Sequence, residues 1–371
     1  MSRKNSVPQD TQESTASQED GANDVQQSAS QPDVPQPALI DVGKFTGIAR
    51  FNGVEVQGFD RPWDYPLLKT PPKLDGFVWD EDLVLTLVIF WFSEDRHAMK
   101  LIGHTGAGKT EGVLQWHACL NLPLLVIGVN PRTEAQQLMG MPTTTVDGMA
   151  YVDGPLVTAA RQGQAVLVDE YNLMDPGEAS GLNAFLEGKP YTIPETGETI
   201  VPAPGFRIYA TMNPKTSGYR GRNKQDMAND ARFLDCEVKY LSKEAETPLV
   251  ERALAKVYDA QGQVPDPAFL NKLATDFVST ANDIREQYMG VSDAGSALPC
   301  TMCTRTLLAW AQTAAMAKSL MPAGRSSIHW ALTKVLSTRQ DPEVREALHA
   351  IATSHMGERP DAASAAQAPS P

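Results

Sequence analysis

Short apolar runs alternate along the middle of this chain with segments whose apolar side chains recur at helical spacing. The runs cover residues 98–102, 124–129, 165–168, 208–212 and 236–241. Near-continuous apolar runs of this length predict strands buried on both faces. Strands of that kind separated by helical segments predict an α/β fold around a mainly parallel, five-stranded sheet. Beyond Lys243 the strand pattern stops, and helical periodicity takes over in residues 247–260, 267–280 and 304–318, which predicts a separate helical domain. The apolar stretch 83–92, interrupted by Thr86, is too short to cross a bilayer and predicts a buried helix. Two shorter β-like pairs, at 146–152 and 191–201, flank turn signals and predict hairpins, the second turning at Thr196-Gly197.

These patterns divide the chain. Residues 1–38 are rich in Gln, Ser, Asp and Pro and poor in large apolar side chains, so they cannot bury enough surface to offset their ordering entropy. They predict a disordered acidic arm, and residues 358–371 a disordered tail. Residues 39–76, with Phe59-Asp60-Arg61-Pro62-Trp63, read as an ordered N-terminal docking segment. Residues 77–242 form the α/β core and 243–357 the helical lid.

Charge and cysteine content narrow the function classes. A formal net charge of −13 over 371 residues argues against a general nucleic-acid binder, whose affinity rests on Lys and Arg. A local basic pore remains compatible with it. Cys119, Cys236, Cys300 and Cys303 are too few and too scattered for a disulfide framework, and the polar N-terminal stretch lacks the apolar centre of a signal peptide, so a cytoplasmic, membrane-free protein is expected. Cys300-x-x-Cys303 has no second pair or neighbouring histidines, which favours packing at a helix start over a zinc or redox role.

The chemistry begins where the first strand ends. Gly103-His104-Thr105-Gly106-Ala107-Gly108-Lys109-Thr110 follows the pattern G-x-x-x-x-G-K-[ST], in which glycines let backbone N–H groups close around phosphate oxygens at a helix N-terminus. Lys109 is placed to reach the β and γ phosphates of ATP, and Thr110 to hold Mg²⁺ through its hydroxyl. The strand at 165–168 runs into Asp169-Glu170. Asp169 suits the Mg²⁺ shell through water, and Glu170 suits orientation or deprotonation of an attacking water. The strand at 208–212 delivers Asn213, whose amide can sense the γ-phosphate and align water at once.

This order of phosphate loop, Asp169-Glu170, predicted hairpin and Ala210-Thr211-Met212-Asn213 resembles an AAA+ ATPase of the MoxR type. Val168-Asp169-Glu170-Tyr171, Gly205-Phe206-Arg207 and Thr304-Arg305-Thr306-Leu307-Leu308-Ala309-Trp310-Ala311 are similar to the small ATPase subunit of cobaltochelatase, CobS. Tyr151-Val152-Asp153-Gly154-Pro155-Leu156 with Arg161-Gln162-Gly163 resembles the CbbQ and NorQ activases. The resemblance implies a homo-oligomeric ring, usually of six subunits, with ATP at the interfaces. It implies that Arg232 is the arginine finger reaching the neighbouring site and Arg305 the sensor arginine of the lid. Where the family usually has proline before that arginine, this chain has Thr304. Arg220 and Arg222 suit an interface or a pore, or are solvated loop arginines.

The leading expectation is therefore an ATP-hydrolysing ring that remodels or activates a protein partner. The resemblance implies that this partner is a separate protein with a von Willebrand factor A domain. The alternative is a nucleic-acid-stimulated motor on the same core. A non-hydrolysing scaffold is disfavoured by Glu170, Asn213 and Arg232.

Overall fold

The computed structural model describes residues 34–95, 97–145, 148–214, 227–290, 298–322 and 324–357. The expected arm up to residue 33, the expected tail 358–371, Val146, Arg220 and Arg222 lie outside the described residues.

Five strands form one parallel sheet: β1 (Ala98–Ile102), β2 (Leu124–Gly128), β3 (Ala165–Asp169), β4 (Ile208–Met212) and β5 (Leu234–Glu237), in the spatial order β5-β1-β4-β3-β2. The two-residue side-chain period divides each strand between two cores. Ala98, Val166, Val168, Ile208, Ala210 and Met212 face one apolar layer, while Met99, Leu101, Leu167 and Tyr209 face the other. Burial on both faces is the reason these strands read as continuous apolar runs. Lys100 departs from that pattern. It is buried, and its ammonium lies 3.0 Å from Asp230 and 3.1 Å from Asp235.

Two expected elements are displaced. The fifth strand starts at Leu234, opposite Met99, and ends at Glu237, opposite Ile102, instead of spanning 236–241. It ends there because β1 gives way to the glycine loop after Ile102, whose carbonyl accepts one last bond, from the Val238 N–H at 2.7 Å. The first hairpin runs Gly140–Thr145 and Gly148–Asp153, starting earlier than the 146–152 pattern suggested, whereas the second pairs Tyr191–Thr192 with Thr199–Ile200 as its turn signal predicted.

The helix α1 (Glu81–Phe92) starts at Asp80, whose carboxylate accepts from the N–H of Leu83. Only one side of it is buried: Leu83, Val84, Leu87, Val88 and Phe90 are covered while Ile89 and Phe92 are exposed, so the largely apolar run overstated its burial. Helix α2 (Lys109–Cys119) follows the glycine loop and α3 (Pro155–Gln162) the first hairpin. Within the expected arm, Pro37 and Ala38 instead belong to a strand, Pro37–Asp41, paired antiparallel with Glu55–Phe59, because this edge packs on the end of α2. The N–H of Phe59 donates to the Leu120 carbonyl at 3.0 Å, and Val42, Phe51 and Val56 join the core around Trp116. The segment 39–76 is thus built onto the core.

The lid consists of α4 (Lys243–Ala260), α5 (Pro267–Met289), α6 (Thr304–Lys318), α7 (Ser327–Val335) and α8 (Pro342–Met356) around a separate core centred on Phe277 and Trp310. Inside it Arg285, 2 % exposed, forks onto the fully buried Glu246 at 2.7 and 2.8 Å. Such a pair is tolerated only when its remaining donors and acceptors are also satisfied. Arg285 donates further to the Met302 carbonyl, and Glu246 accepts from Thr304. The threonine at the position where proline is usual therefore serves the lid core. No helix among the described residues is long and apolar enough to cross a membrane.

Candidate functional site

All the sequence-predicted groups except Arg232 come off the carboxyl ends of β1, β3 and β4 or face them from the lid. The glycine loop leaves β1 at Gly103, whose N–H donates to the Met212 carbonyl at 3.1 Å. A Cβ there would stand 2.1 Å from the Val238 carbonyl oxygen, so only glycine fits. Gly106 has a φ of 72°, and Gly108, at 96°, is the left-handed residue from which α2 starts. The positive end of that helix points into the loop.

Lys109 is 8 % exposed, and its ammonium donates to the carbonyls of Gly103 (2.8 Å) and His104 (2.9 Å) and to Oδ1 of Asn213 (2.9 Å). Lys109 and Asn213 thus meet although 104 positions separate them. Asn213 is buried, and its carbonyl accepts from Asn172 at 3.1 Å. A phosphate entering the loop would exchange these oxygens for its own.

Thr110, Asp169, Thr211 and Glu170 form a second chain. Oδ1 of Asp169 accepts from the hydroxyls of Thr110 (2.8 Å) and Thr211 (2.5 Å), and Oγ1 of Thr211 accepts the N–H of Glu170 at 2.9 Å. With its proton on Asp169, Thr110 keeps its lone pairs for a cation. Glu170 has a φ of 60° and a ψ of 36°, in the left-handed region. A residue with a Cβ adopts that region at a cost of about 1–2 kcal/mol. Asn172 and Thr211 were given no role in the sequence reading. Thr211 was visible only as the penultimate residue of an apolar strand, where a buried hydroxyl needs partners.

A cleft of about 650 Å³ adjoins the loop. Phe77, Val78 and Leu83 line it from the N-terminal side, Leu249 and Leu308 from the lid. The apolar wall suits a planar base, and five basic side chains, among them Lys109, Lys256 and Arg305, outnumber the acidic Asp75, Asp80 and Glu111 along the cleft, against the acidic whole. Arg305, in the first turn of α6, is thereby brought to the loop. His104, between Tyr240 and Tyr288, has its pKa lowered by burial and by the Lys109 charge, against an opposing pull from Glu237. Among the described residues no cluster of three or more His, Cys, Asp or Glu could cage a metal.

Arg232 lies elsewhere. It precedes the amino end of β5, and the strand's length, about 10 Å, separates it from the edge that carries the loop. Its Nε donates to Glu187 at 2.5 Å, and the N–H of Arg232 donates to the Asn229 carbonyl at 3.2 Å. Asn229 is fixed by Tyr171 and Asn183, and the neighbouring Asp230 by Lys100. The arginine therefore sits on a braced turn, and it is not among the residues that line the cleft. Cys303 caps α6, its sulfur accepting from the N–H of Thr306, as the helix-start reading of that cysteine predicted.

A parallel sheet with this loop, an acidic strand end, an amide beside the lysine and a helical lid defines a P-loop nucleotide-binding protein of the AAA+ architecture. Residues 98–233 match the AAA domain of the dynein-related subfamily, and residues 268–355 match the C-terminal domain of CbbQ, NirQ and NorQ. The chain belongs to the AAA+ ATPase family, of the MoxR-like type related to CbbQ and NorQ.

Individual relatives match part of the chain. An uncharacterised protein of Staphylococcus haemolyticus is 31% identical over 179 residues, 47% of this chain and 64% of its own length. An uncharacterised protein of Staphylococcus epidermidis is 33% identical over 147 residues, 38% of this chain and 55% of its own length. Midasin of Giardia intestinalis is 33% identical over 147 residues, 39% of this chain but 3% of midasin. The chain thus spans little more than half the length of the staphylococcal relatives it matches.

Proposed function

We propose that this protein binds ATP with Mg²⁺, hydrolyses it to ADP and phosphate in an assembled ring, and uses the cycle to remodel a protein partner. The observation that carries the reading is the double convergence at one sheet edge, Lys109 with Asn213 and Thr110 with Asp169, Thr211 and Glu170.

In this reading the loop N–H groups and Lys109 bind the β and γ phosphates, and Asn213 reports on the γ position while helping to align water. Glu170, oriented by Thr211, accepts the water's proton as the water attacks phosphorus and the bond to the β-phosphate oxygen breaks. Thr110 and Asp169 would hold Mg²⁺, which when bound neutralises developing phosphate charge. Arg305 closes the cleft from the lid. Arg232, at the far end of β5 from its own cleft, suits a neighbouring subunit's site, where a guanidinium can clamp transferring phosphate bidentately.

The partner surface we assign to the two hairpins. The first carries the exposed side chains Met141, Met149 and Val152. Arg161 joins the two, its guanidinium donating to Asp153 at 2.7 Å and to Glu198 at 2.6 and 2.9 Å, so that they present one unit. A separate protein with a von Willebrand factor A domain is the partner this reading favours.

Two variants test the nucleotide chemistry. Lys109→Ala should lose binding of Mg·ATP, because the ammonium contacts phosphate in the ground state. Glu170→Gln should bind it normally but turn it over at least about a hundredfold more slowly, because Glu170 acts only on the reacting water. Equal loss of binding in both, or rapid turnover by Glu170→Gln, contradicts the assignment.

A further inference from the structure

Five consecutive residues before and at the start of α6 connect the lid to the phosphate loop. Oγ1 of Thr301 lies 3.3 Å from the hydroxyl of Tyr240. The Met302 carbonyl accepts from Nε of Arg285 at 2.7 Å. Cys303 lies against Gly106, where an added Cβ would stand 2.2 Å from the cysteine's own. Thr304 donates to Glu246 at 2.6 Å, and Arg305 lines the cleft. Cys303 and Arg305 thus address the loop and cleft, Thr301 reaches Tyr240, and Met302 and Thr304 address the buried Arg285–Glu246 pair.

Tyr240 stands between these two sets. It lies in the strand-to-lid linker after β5, and its hydroxyl is 3.0 Å from the Thr105 carbonyl oxygen. Its ring packs beneath the Arg285 guanidinium at 4.5 Å and parallel to the His104 imidazole, 6.2 Å away with planes 15° apart. The direction of the hydrogen bonds follows from chemistry. A carbonyl can only accept, so the Tyr240 proton is on Thr105, and Thr301 must donate its own to the Tyr240 oxygen. In a trans peptide the C=O and the following N–H point opposite ways. Holding the Thr105 carbonyl outward against Tyr240 therefore turns the N–H of Gly106, a cleft-lining residue, to the other side of that peptide.

We propose that Tyr240 is a positioning residue for the phosphate loop. Its hydroxyl, oriented by Thr301 of the lid, holds the Thr105–Gly106 peptide with the Gly106 N–H toward phosphate, and so couples the seating of the lid to nucleotide affinity. The inference rests on the nucleotide reading above and adds a regulating contact to that site. Because Arg285 is locked by its fork onto Glu246, the Tyr240 ring keeps its place when the hydroxyl is removed.

The experiment is titration of Mg·ADP and Mg·ATP into the full chain carrying Tyr240→Phe, Thr301→Val or both. Loss of one hydrogen bond from a loop that binds both nucleotides should weaken each by about two- to tenfold. KM for ATP should rise by the same factor while kcat moves less, since the loop holds ground state and transition state alike. The midpoint of thermal unfolding without nucleotide should fall by only a few degrees, so that every variant is fully folded at the titration temperature and weakened binding is not a loss of folded protein. Thr301→Val should weaken binding less than Tyr240→Phe and add nothing to it in the double variant. Wild-type affinity in Tyr240→Phe, or additive effects of the two substitutions, overturns the inference while leaving the nucleotide site standing. A wild-type chain that binds neither nucleotide removes the site and the inference together.

Discussion

Thr211→Val removes one hydroxyl from the centre of the candidate site without changing side-chain shape, and the structure supplies the magnitude. Thr211 is 1 % exposed, so no water replaces what is lost. Two hydrogen bonds disappear, the short one given to Asp169 and the one accepted from the Glu170 N–H. A hydrogen bond to a charged group contributes about 1.5–3 kcal/mol, and orphaning a buried N–H costs about 1–3 kcal/mol. The Glu170 N–H is only partly buried and can be rehydrated, which places the sum near the lower end, about 3 kcal/mol. The effect on turnover should be of similar size but arise by a separate route. Glu170 occupies a left-handed conformation that its own backbone disfavours, and the Thr211 contact helps retain it there. Released by about 1 Å, a water-activating carboxylate forfeits about a hundredfold in rate. We therefore expect kcat to fall about a hundredfold while the affinity for Mg·ADP stays within about threefold, because Lys109 and the loop are untouched. Denaturant unfolding measures the first quantity, and phosphate release with nucleotide titration measures the others. Thr211→Ser, which keeps the hydroxyl, should restore most of the rate. A Thr211→Val protein with wild-type kcat, or a serine variant as slow as the valine one, would refute the argument.

Two further outcomes follow from other parts of the molecule. Arg232→Ala should lower turnover by roughly a thousandfold if the residue serves a neighbour's site, and mixing it with Lys109→Ala should restore part of the activity, since some interfaces then join an intact arginine to an intact loop. Mixed rings that stay inactive would return Arg232 to a role within its own subunit. His117, buried edge-on against Tyr209, has its pKa pushed down to about 3 by burial, which outweighs the pull of the Pro123 carbonyl. A neutral imidazole in the fold against one that protonates near 6.5 when unfolded contributes stability fully above that pH, and loses it as pH falls from 6.5 towards 3. Unfolding free energy should drop by about 2 kcal/mol more in the wild type than in His117→Gln between pH 6.5 and 5. Equal pH slopes in the two proteins would show that His117 titrates normally.

How far the sequence reached depends on the range of the interactions involved. The glycine loop, the acidic end of β3 and the helix at Lys109 are local patterns, because loop closure, strand periodicity and helix initiation are decided within a few residues. The succession of strands along the chain and the presence of a helical lid were legible for the same reason. The limits of the fifth strand were not, since β5 ends where its neighbour β1 ends, a fact of pairing and not of the composition of 236–241. Burial of Lys100 was equally hidden, for it depends on Asp230 and Asp235 folding back from more than a hundred positions away. Thr211 looked like one residue of an apolar strand until the Asp169 carboxylate and the Glu170 N–H, both at the end of β3, converged on its hydroxyl. Thr304 looked like a departure at a helix start, and became a ligand of Glu246 only when α4 and α6 packed together. Tyr240 carried no sequence signal at all: its partners Thr105, Arg285 and Thr301 meet only when lid and core fold against each other. Sequence alone determined which groups could bind phosphate, because that chemistry is written in residue type and spacing. Tertiary structure decided which of them face one another, because polar groups taken out of water must find partners wherever the packed chain brings them.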